Sequence, residues 1–307
     1  MTTQNVILVG VDGSGGSNAA IRYAAAEAER SGAGLRLVHV TPDYLPIASV
    51  YPLTVPFSER DLEATGNEIL ADAAKLAGRL LDPSRVTTAL VWGERGPSLL
   101  EAAEGAALVV LGEDERGLLE RIAVGSTVAH VAAHATVPVV AVHVGWMPTA
   151  RDRVVVGIKC LDPLPVDVLR GALRVASDRK ASLEIAFVWE MPGIYDDFLL
   201  SAIDFDAMGR QVETDLRAGA ASLFAEFPDV RVDVRTGHGQ PARVLRDESD
   251  RADLLVIARR AHAFPVGHFG STGRALLRES RCPVEILPVS EAKPTGSDSD
   301  RRQRPQE

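Results

Sequence analysis

A chain of 307 residues holds enough material for two ordinary domains of about 150 residues each. Hydrophobic residues make up 46% and charged residues 24% of it, the balance of a folded globular protein, which excludes a collagen, a coiled coil or a largely disordered chain. The net charge of −9 comes with no basic block interleaved with aromatic residues, which argues against a nucleic-acid partner; no apolar run approaches the ~18 residues of a membrane span and the first residues carry no basic leader, so a cytoplasmic protein without membrane contact is expected.

In chain order, residues 6–11 (VILVGV) read as a buried strand and residues 17–30 (SNAAIRYAAAEAER) as an Ala-rich helix. Residues 35–40 form the second strand. A proline-rich stretch with Tyr44, Tyr51 and Phe57 follows, expected as an ordered loop over residues 41–58. Residues 59–81 place Leu62, Ile69, Leu70, Leu76 and Leu80 at helical spacing, residues 86–91 alternate like a strand and residues 98–104 form a short helix. Strand four spans residues 108–111, a loop leads to a helix over residues 126–135, and residues 137–144 close the set as strand five.

The pattern then starts again. The run VILVGVD beginning at Val6 returns as VVVGIK from Val154, Gly125-Ser126-Thr127 returns as Gly270-Ser271-Thr272, and Val137-Pro138-Val139 returns as Cys282-Pro283-Val284. A period near 145 residues marks a duplicated domain, not a solenoid. Strands of the second copy are expected at residues 154–158, 183–188, 230–235, 254–257 and 284–288. The predicted domains are residues 1–148 and 149–290, with residues 291–307, polar and aperiodic, as a disordered tail. Strands apolar on both faces that alternate with helices imply α/β architecture: two doubly wound domains, each a five-stranded parallel sheet in the order 3-2-1-4-5 with helices on both faces. A ligand site is then expected at the carboxyl ends of the central strands, where the strand order reverses. The short connection at residues 145–152 keeps the copies together as an internal pseudo-dimer, and the two fifth strands have edges that need a partner.

Three pieces fall in order: Gly10-Val11-Asp12-Gly13-Ser14 after strand one, Val38-His39-Val40 ending strand two, and Leu111-Gly112 with Gly125-Ser126-Thr127 between strand four and its helix. Together they resemble the universal stress protein family, over residues 5–145 and 153–290, in the tandem form common in its actinobacterial branch. The resemblance implies a cytoplasmic, dimeric or pseudo-dimeric stress-response protein, and one subclass of the family binds ATP. It implies that Asp12 bonds the ribose or adenine side, that Val11 and Val40 offer backbone groups to the base, and that Gly112, Gly125, Ser126 and Thr127 hold the phosphates, with Leu111 also in the cofactor-binding set. Independently of any family, a strand-to-helix turn offers backbone N–H groups and the positive end of a helix dipole to an anion. Asp12 also suits a plain turn or capping residue before the first helix.

The family's phosphate loop runs Gly, two residues, Gly, nine residues, Gly, then Ser or Thr. Gly112 and Gly125 are thirteen apart as this requires, but Glu115 stands at the middle glycine. Glu113, Asp114 and Glu115 are then expected in the path of a triphosphate, where like charges about 4 Å apart repel by roughly 4 kcal/mol at an effective dielectric near 20; a carboxylate cluster also suits Mg²⁺ bridging to phosphate. In the second copy Lys159 replaces the aspartate, and Ala258 and Ala261 stand near the two loop glycines, so ATP is expected in the first repeat only. Two other readings remain: a scaffold or interaction protein without nucleotide, and a slow ATP hydrolase, for which no residue able to position water is visible. No catalytic residue and no metal site is expected. Ser14-Gly15-Gly16-Ser17 lacks the Asp-Ser that a pyrophosphate-releasing loop needs, and His130 with His134 on one helix lacks a third ligand. Cys160 and Cys282 fall on non-adjacent strands and read as free thiols, while Trp92, Trp146 and Trp189 read as packing residues.

Overall fold

A computed structural model of the chain describes residues 5–42, 58–113, 126–190, 204–259 and 270–288. The expected tail over residues 291–307, residues 43–57 of the expected loop, and Asp114, Glu115, Gly125 and Ala261 lie outside these residues.

The first half runs β1 (Val6–Gly10), α1 (Gly15–Ser31), β2 (Gly34–Thr41), α2 (Glu59–Ala77), β3 (Val86–Trp92), α3 (Arg95–Ala102), β4 (Leu108–Glu113), α4 (Ser126–His134) and β5 (Val139–His143). The second runs β6 (Arg153–Ile158), α5 (Val166–Arg179), β7 (Ser182–Trp189), α6 (Phe205–Gly219), α7 (Ala221–Ala225), β8 (Val232–His238), α8 (Pro241–Ser249), β9 (Leu254–Ala258), α9 (Ser271–Glu279) and β10 (Val284–Leu287). Elements and predictions differ mainly at their ends. Helix α3 begins at Arg95, ahead of the predicted residue 98, because Pro97 falls within its first turn, where its missing N–H costs nothing.

Among the described residues ten strands form one sheet in the order β3-β2-β1-β4-β5-β10-β9-β6-β7-β8. Every neighbouring pair is parallel except β5 and β10, which meet antiparallel with Ala141 opposite Val284, Val140 opposite Glu285 and Val139 opposite Ile286. The edges that each half leaves open thus satisfy one another. Helices cover both faces. On one, α1, α2 and α5 bury Tyr23, Leu70, Leu169 and Leu173 against Val9, Val110, Val140 and Val156; on the other, α3, α4, α8 and α9 bury Leu99, Val131, Leu245 and Leu276 against Leu8, Leu111, Val155 and Ile286. Burying both faces removes the alternating polarity of a half-exposed sheet, which is why β1, β4 and β6 read as continuous apolar runs.

Side chains also cross the seam. Arg259, at the end of β9, donates from Nη1 to the carbonyls of Ala133 and Ala135 at 3.1 and 2.6 Å, closing the carboxyl end of α4 in the other half. The connection is anchored by Asp253, whose Oδ1 accepts from the Thr149 hydroxyl at 2.6 Å and the Arg151 N–H at 3.1 Å, while Oδ2 accepts from the Arg153 N–H at 3.2 Å.

Candidate functional site

The strand order reverses in the first half between β1, which Val11 and Asp12 follow, and β4, near whose end Leu111 and Gly112 lie. After β1 the chain turns through Gly13, at φ 80°, a left-handed conformation that glycine adopts without a side-chain clash. Asp12 Oδ1 accepts the Ser14 N–H at 3.0 Å, Ser14 Oγ accepts the Ser17 N–H at 3.1 Å as the cap of α1, and the Ser17 hydroxyl donates to the Ser14 carbonyl at 3.0 Å. Asp12 therefore performs the turn-forming role that its residue type suits. Its side chain remains at the surface. Local desolvation opposes its charge, but hydrogen bonds from Ser14 and Ser17 and the Arg95 guanidinium outweigh that and hold the carboxyl below its ordinary range. Asp12 is an anion at neutral pH.

Arg95 is the residue that motif reading missed. It opens α3, exposed, near enough to Asp12 to act on its charge. The only local signal is the Gly93-Glu94-Arg95-Gly96 turn after strand three.

Both main-chain groups of Val11 are engaged: its N–H donates to the Val38 carbonyl at 2.9 Å and its carbonyl accepts from His39 Nδ1 at 2.8 Å. The β1–β2 ladder ends at Gly10 opposite Val38. Because alternate residues of a strand turn their backbone groups to the same side, Val40 directs its N–H and carbonyl toward the β1 side beyond the last rung. Of the two valines expected to face a base, Val11 has both main-chain groups engaged, whereas those of Val40 lie beyond the last rung.

Gly112 is a packing residue in its own right. A β-carbon added there would lie 2.0 Å from the carbonyl oxygen of Gly16 and 2.6 Å from the Ser17 nitrogen, so only glycine lets β4 meet the first turn of α1. Leu111 turns to the other face and is buried, its Cδ2 lying 2.6 Å from where a Gly10 β-carbon would be. Its side chain belongs to the core. Helix α4 starts at Ser126, and Thr127 is half-buried beside it.

Glu113 departs from the expectation that three carboxylates fill a phosphate path. Strand alternation places it on the face of Leu111, away from α1, and β5 aligns His143 beside it. Its Oε1 is buried without a hydrogen-bond partner. Burial pushes the Glu113 carboxyl up to about 8, so the group is largely uncharged at neutral pH and does not repel a phosphate as an ionised carboxylate does.

The second half lacks this arrangement. Between β6 and α5 the chain spans residues 159–165, with Pro163 and Pro165, against residues 11–14 between β1 and α1, and α5 begins after Pro165 without a side-chain cap. The helix turn that presses on Gly112 has no equivalent, and Ala258, in the place of Gly112, is exposed. Lys159, in the place of Asp12, is exposed too. Arg259, which follows Ala258 at that strand end, closes α4 of the first half.

The remaining candidates resolve into structure. His130 packs on Gly96 and lies 4.4 Å from the His134 ring, whose Nδ1 donates to the His130 carbonyl; among the described residues no group of three metal-ligating side chains occurs. Both cysteines are free, and burial raises the Cys282 thiol to about 12, beyond ready ionisation. Trp146 packs edge-on against Tyr23 at 5.2 Å, and Trp189, Phe205 and His238 form a three-ring cluster with centres 4.3 to 6.0 Å apart. No described helix is long and apolar enough to cross a membrane.

The profile of the universal stress protein family matches residues 4–143 and 150–288. A universal stress protein of Mycobacterium tuberculosis strain H37Rv is 31% identical over 293 residues, covering 92% of this chain and 97% of that protein. Among solved structures, a universal stress protein from Archaeoglobus fulgidus aligns over 93% of this chain and 98% of its own with a TM-score of 0.69 at 18% identity. A shorter universal stress protein, solved in complex with cAMP, aligns over 46% of this chain and 98% of its own at 25% identity and a TM-score of 0.35. With both halves matched and the relative covered almost end to end, the chain belongs to the universal stress protein family as a tandem member with two family domains.

Proposed function

We propose that the first repeat is a regulatory adenine-nucleotide site and that the second repeat is its structural partner. The observation that carries this reading is the asymmetry of the two strand-order reversals. The first repeat keeps a capped α1 against Gly112, an ionised Asp12, an outward-facing Val40 backbone and the start of α4 at Ser126; the second has lost the corresponding helix turn. These residues fit a nucleotide. Val40 faces the base, Asp12 takes the ribose or adenine side, and Gly112, Gly125, Ser126 and Thr127 form the phosphate end, with Val11 and Leu111 shaping the floor. Arg95 adds a cation at the same end of the sheet, and the neutral state of Glu113 lowers the cost of an incoming anion. The ligand is ATP, and the carboxylates of Asp114 and Glu115 would hold a Mg²⁺ ion that offsets part of its phosphate charge. Occupancy stabilises the first repeat by mass action and so biases the surface that regulatory proteins in the cytoplasm, or a second copy of the chain, can read.

The rival is a scaffold with a closed site, favoured by the structural duties that Asp12, Val11 and Gly112 already perform. Mass spectrometry of small molecules released on denaturing fresh protein, with calorimetric titration of the emptied protein by ATP and Mg²⁺, separates the two. About one nucleotide per chain is expected. Asp12→Asn, which keeps an acceptor for the Ser14 N–H, is expected to weaken binding without unfolding the turn, and Asp12→Ala to abolish it. No released nucleotide and no heat at millimolar ATP, in the native chain and in Glu115→Gly alike, would establish the closed site.

A further inference from the structure

The antiparallel seam between β5 and β10 is asymmetric where a duplicated domain starts out symmetric. Helices α1 and α5 both end on left-handed residues, Gly32 and Lys180. Aligned on these, Tyr23 corresponds to Gly171, Glu27 to Val175 and Ser31 to Arg179, while Val140 of β5 corresponds to Glu285 of β10. The same Val140 and Glu285 face each other at the centre of the seam. Glu285 is only 5% exposed, and Tyr23, above it on α1, 1%. Arg179 donates from Nη2 to the Tyr23 hydroxyl at 2.6 Å, pairs with Glu27 and places its guanidinium 5.6 Å from the Tyr23 ring centre. On the Gly171 side the room left by the missing side chain is taken by Leu287, 2.6 Å from where a β-carbon would be.

We propose that this seam is a selective interaction surface: the β10 edge of the second repeat, with Glu285 and Arg179, accepts the β5 edge of a first repeat, with Val140, Tyr23 and Glu27, and rejects a second copy of itself. Two second repeats paired in this register would set Glu285 opposite Glu285 inside the sheet, where like charges face each other without water. Each Arg179 would also lose Tyr23 and Glu27. Two first repeats would bury two Tyr23 hydroxyls without their arginine and leave each Glu27 only Arg30 of its own helix. Only the mixed pair gives Arg179 both Tyr23 and Glu27 and sets an apolar side chain opposite Glu285. A fold whose bare strand edge can join any related repeat is thereby restricted to its own other half, in the same chain or in a second copy.

The test starts with the full chain carrying a protease site at residues 147–149, cut after folding so that both repeats stay present, and mixes light and isotopically heavy preparations. Native mass spectrometry is expected to show first–second pairs with exchanged labels and no second–second pairs. Second–second pairs at a statistical share, or halves that separate into single repeats, would overturn the proposal. In the intact chain, Val140→Glu recreates the rejected contact and is expected to lower Tm by about 5 °C or more, whereas Glu285→Val, which makes the centre apolar on both sides, leaves Tm within about 2 °C or raises it. Equal effects of the two substitutions would show that the buried carboxylate carries no selectivity.

Discussion

Glu113 combines burial, an unpartnered carboxylate oxygen and a place at the end of the strand that leads to the proposed phosphate loop. Its proton carries a stability signature with a definite sign. In the unfolded chain the carboxyl ionises near its ordinary 4.5, and in the folded protein near 8. Below pH 4.5 both states hold the proton; from there to about 8 the native state keeps a proton that the unfolded chain has released, so stability falls as pH rises through this window. Glu285, raised to about 7 by burial against the pull of Arg179 and with Glu27 adding to the rise, acts in the same direction. Glu113→Gln is therefore expected to flatten the decline without abolishing it, with a gain in Tm over the native chain that is largest at pH 8 and small at pH 5. Thermal scans across that range check this, and parallel profiles would contradict it. None of this follows from the Glu113-Asp114-Glu115 run itself. The run shows three carboxylates, but only strand parity, set by Gly112 facing α1, shows that the first of them turns into the protein. Arg95 was hidden for a related reason: its influence on Asp12 depends on α3 starting beside the end of β1, a tertiary contact between residues far apart in the chain.

At the scale of elements, the difference between the repeats lies in one helix turn. Helix α1 starts at Gly15 and drives its first carbonyls against β4, so β4 must present glycine at residue 112; α5 starts later, after Pro165, and β9 carries Ala258 in the matching place without conflict. Gly112→Ala is expected to cost about 3 kcal/mol, because the new β-carbon meets backbone, which cannot swing aside as a side chain does. Ala258→Gly, on an exposed strand end, is expected to cost less than about 1 kcal/mol. Chemical denaturation of both variants measures the difference, and similar losses would mean that the α1 turn gives way more easily than its position implies. Much of this level was legible beforehand. Apolar runs interrupted by Ala-rich and amphipathic segments reveal the α/β order, and Lys159 with Ala258 reveals a second site that has lost its motif. The Asp162-Pro163 and Leu164-Pro165 steps were the visible sign of the missing turn, since the residue before a proline is pushed out of the helical region, but the sequence does not say which contact the turn had made.

Across the whole molecule, α4 runs from the proposed nucleotide site to a contact with the second repeat. Its amino end, at Ser126, lies at the proposed phosphate end, and its carboxyl end is closed by Arg259 of the second repeat through the carbonyls of Ala133 and Ala135. A nine-residue helix is about 13 Å long and stiff on that scale, so a change in its tilt at one end is felt at the other. The guanidinium is partly desolvated, which opposes its charge; the two carbonyls and the partial negative charge of the helix end offset that cost. Arg259→Met keeps the apolar stem and removes both donors. It is expected to destabilise the chain by about 2 kcal/mol, the cost of leaving two carbonyls without a charged partner. If α4 transmits between the halves, the same substitution weakens ATP binding by about fivefold in calorimetric titration, although residue 259 lies in the other repeat, and by linkage bound ATP strengthens the seam by the same factor. A variant that loses stability yet binds ATP with native affinity would mean that α4 holds the halves together without coupling them, and that the second repeat acts on the nucleotide site only as a support.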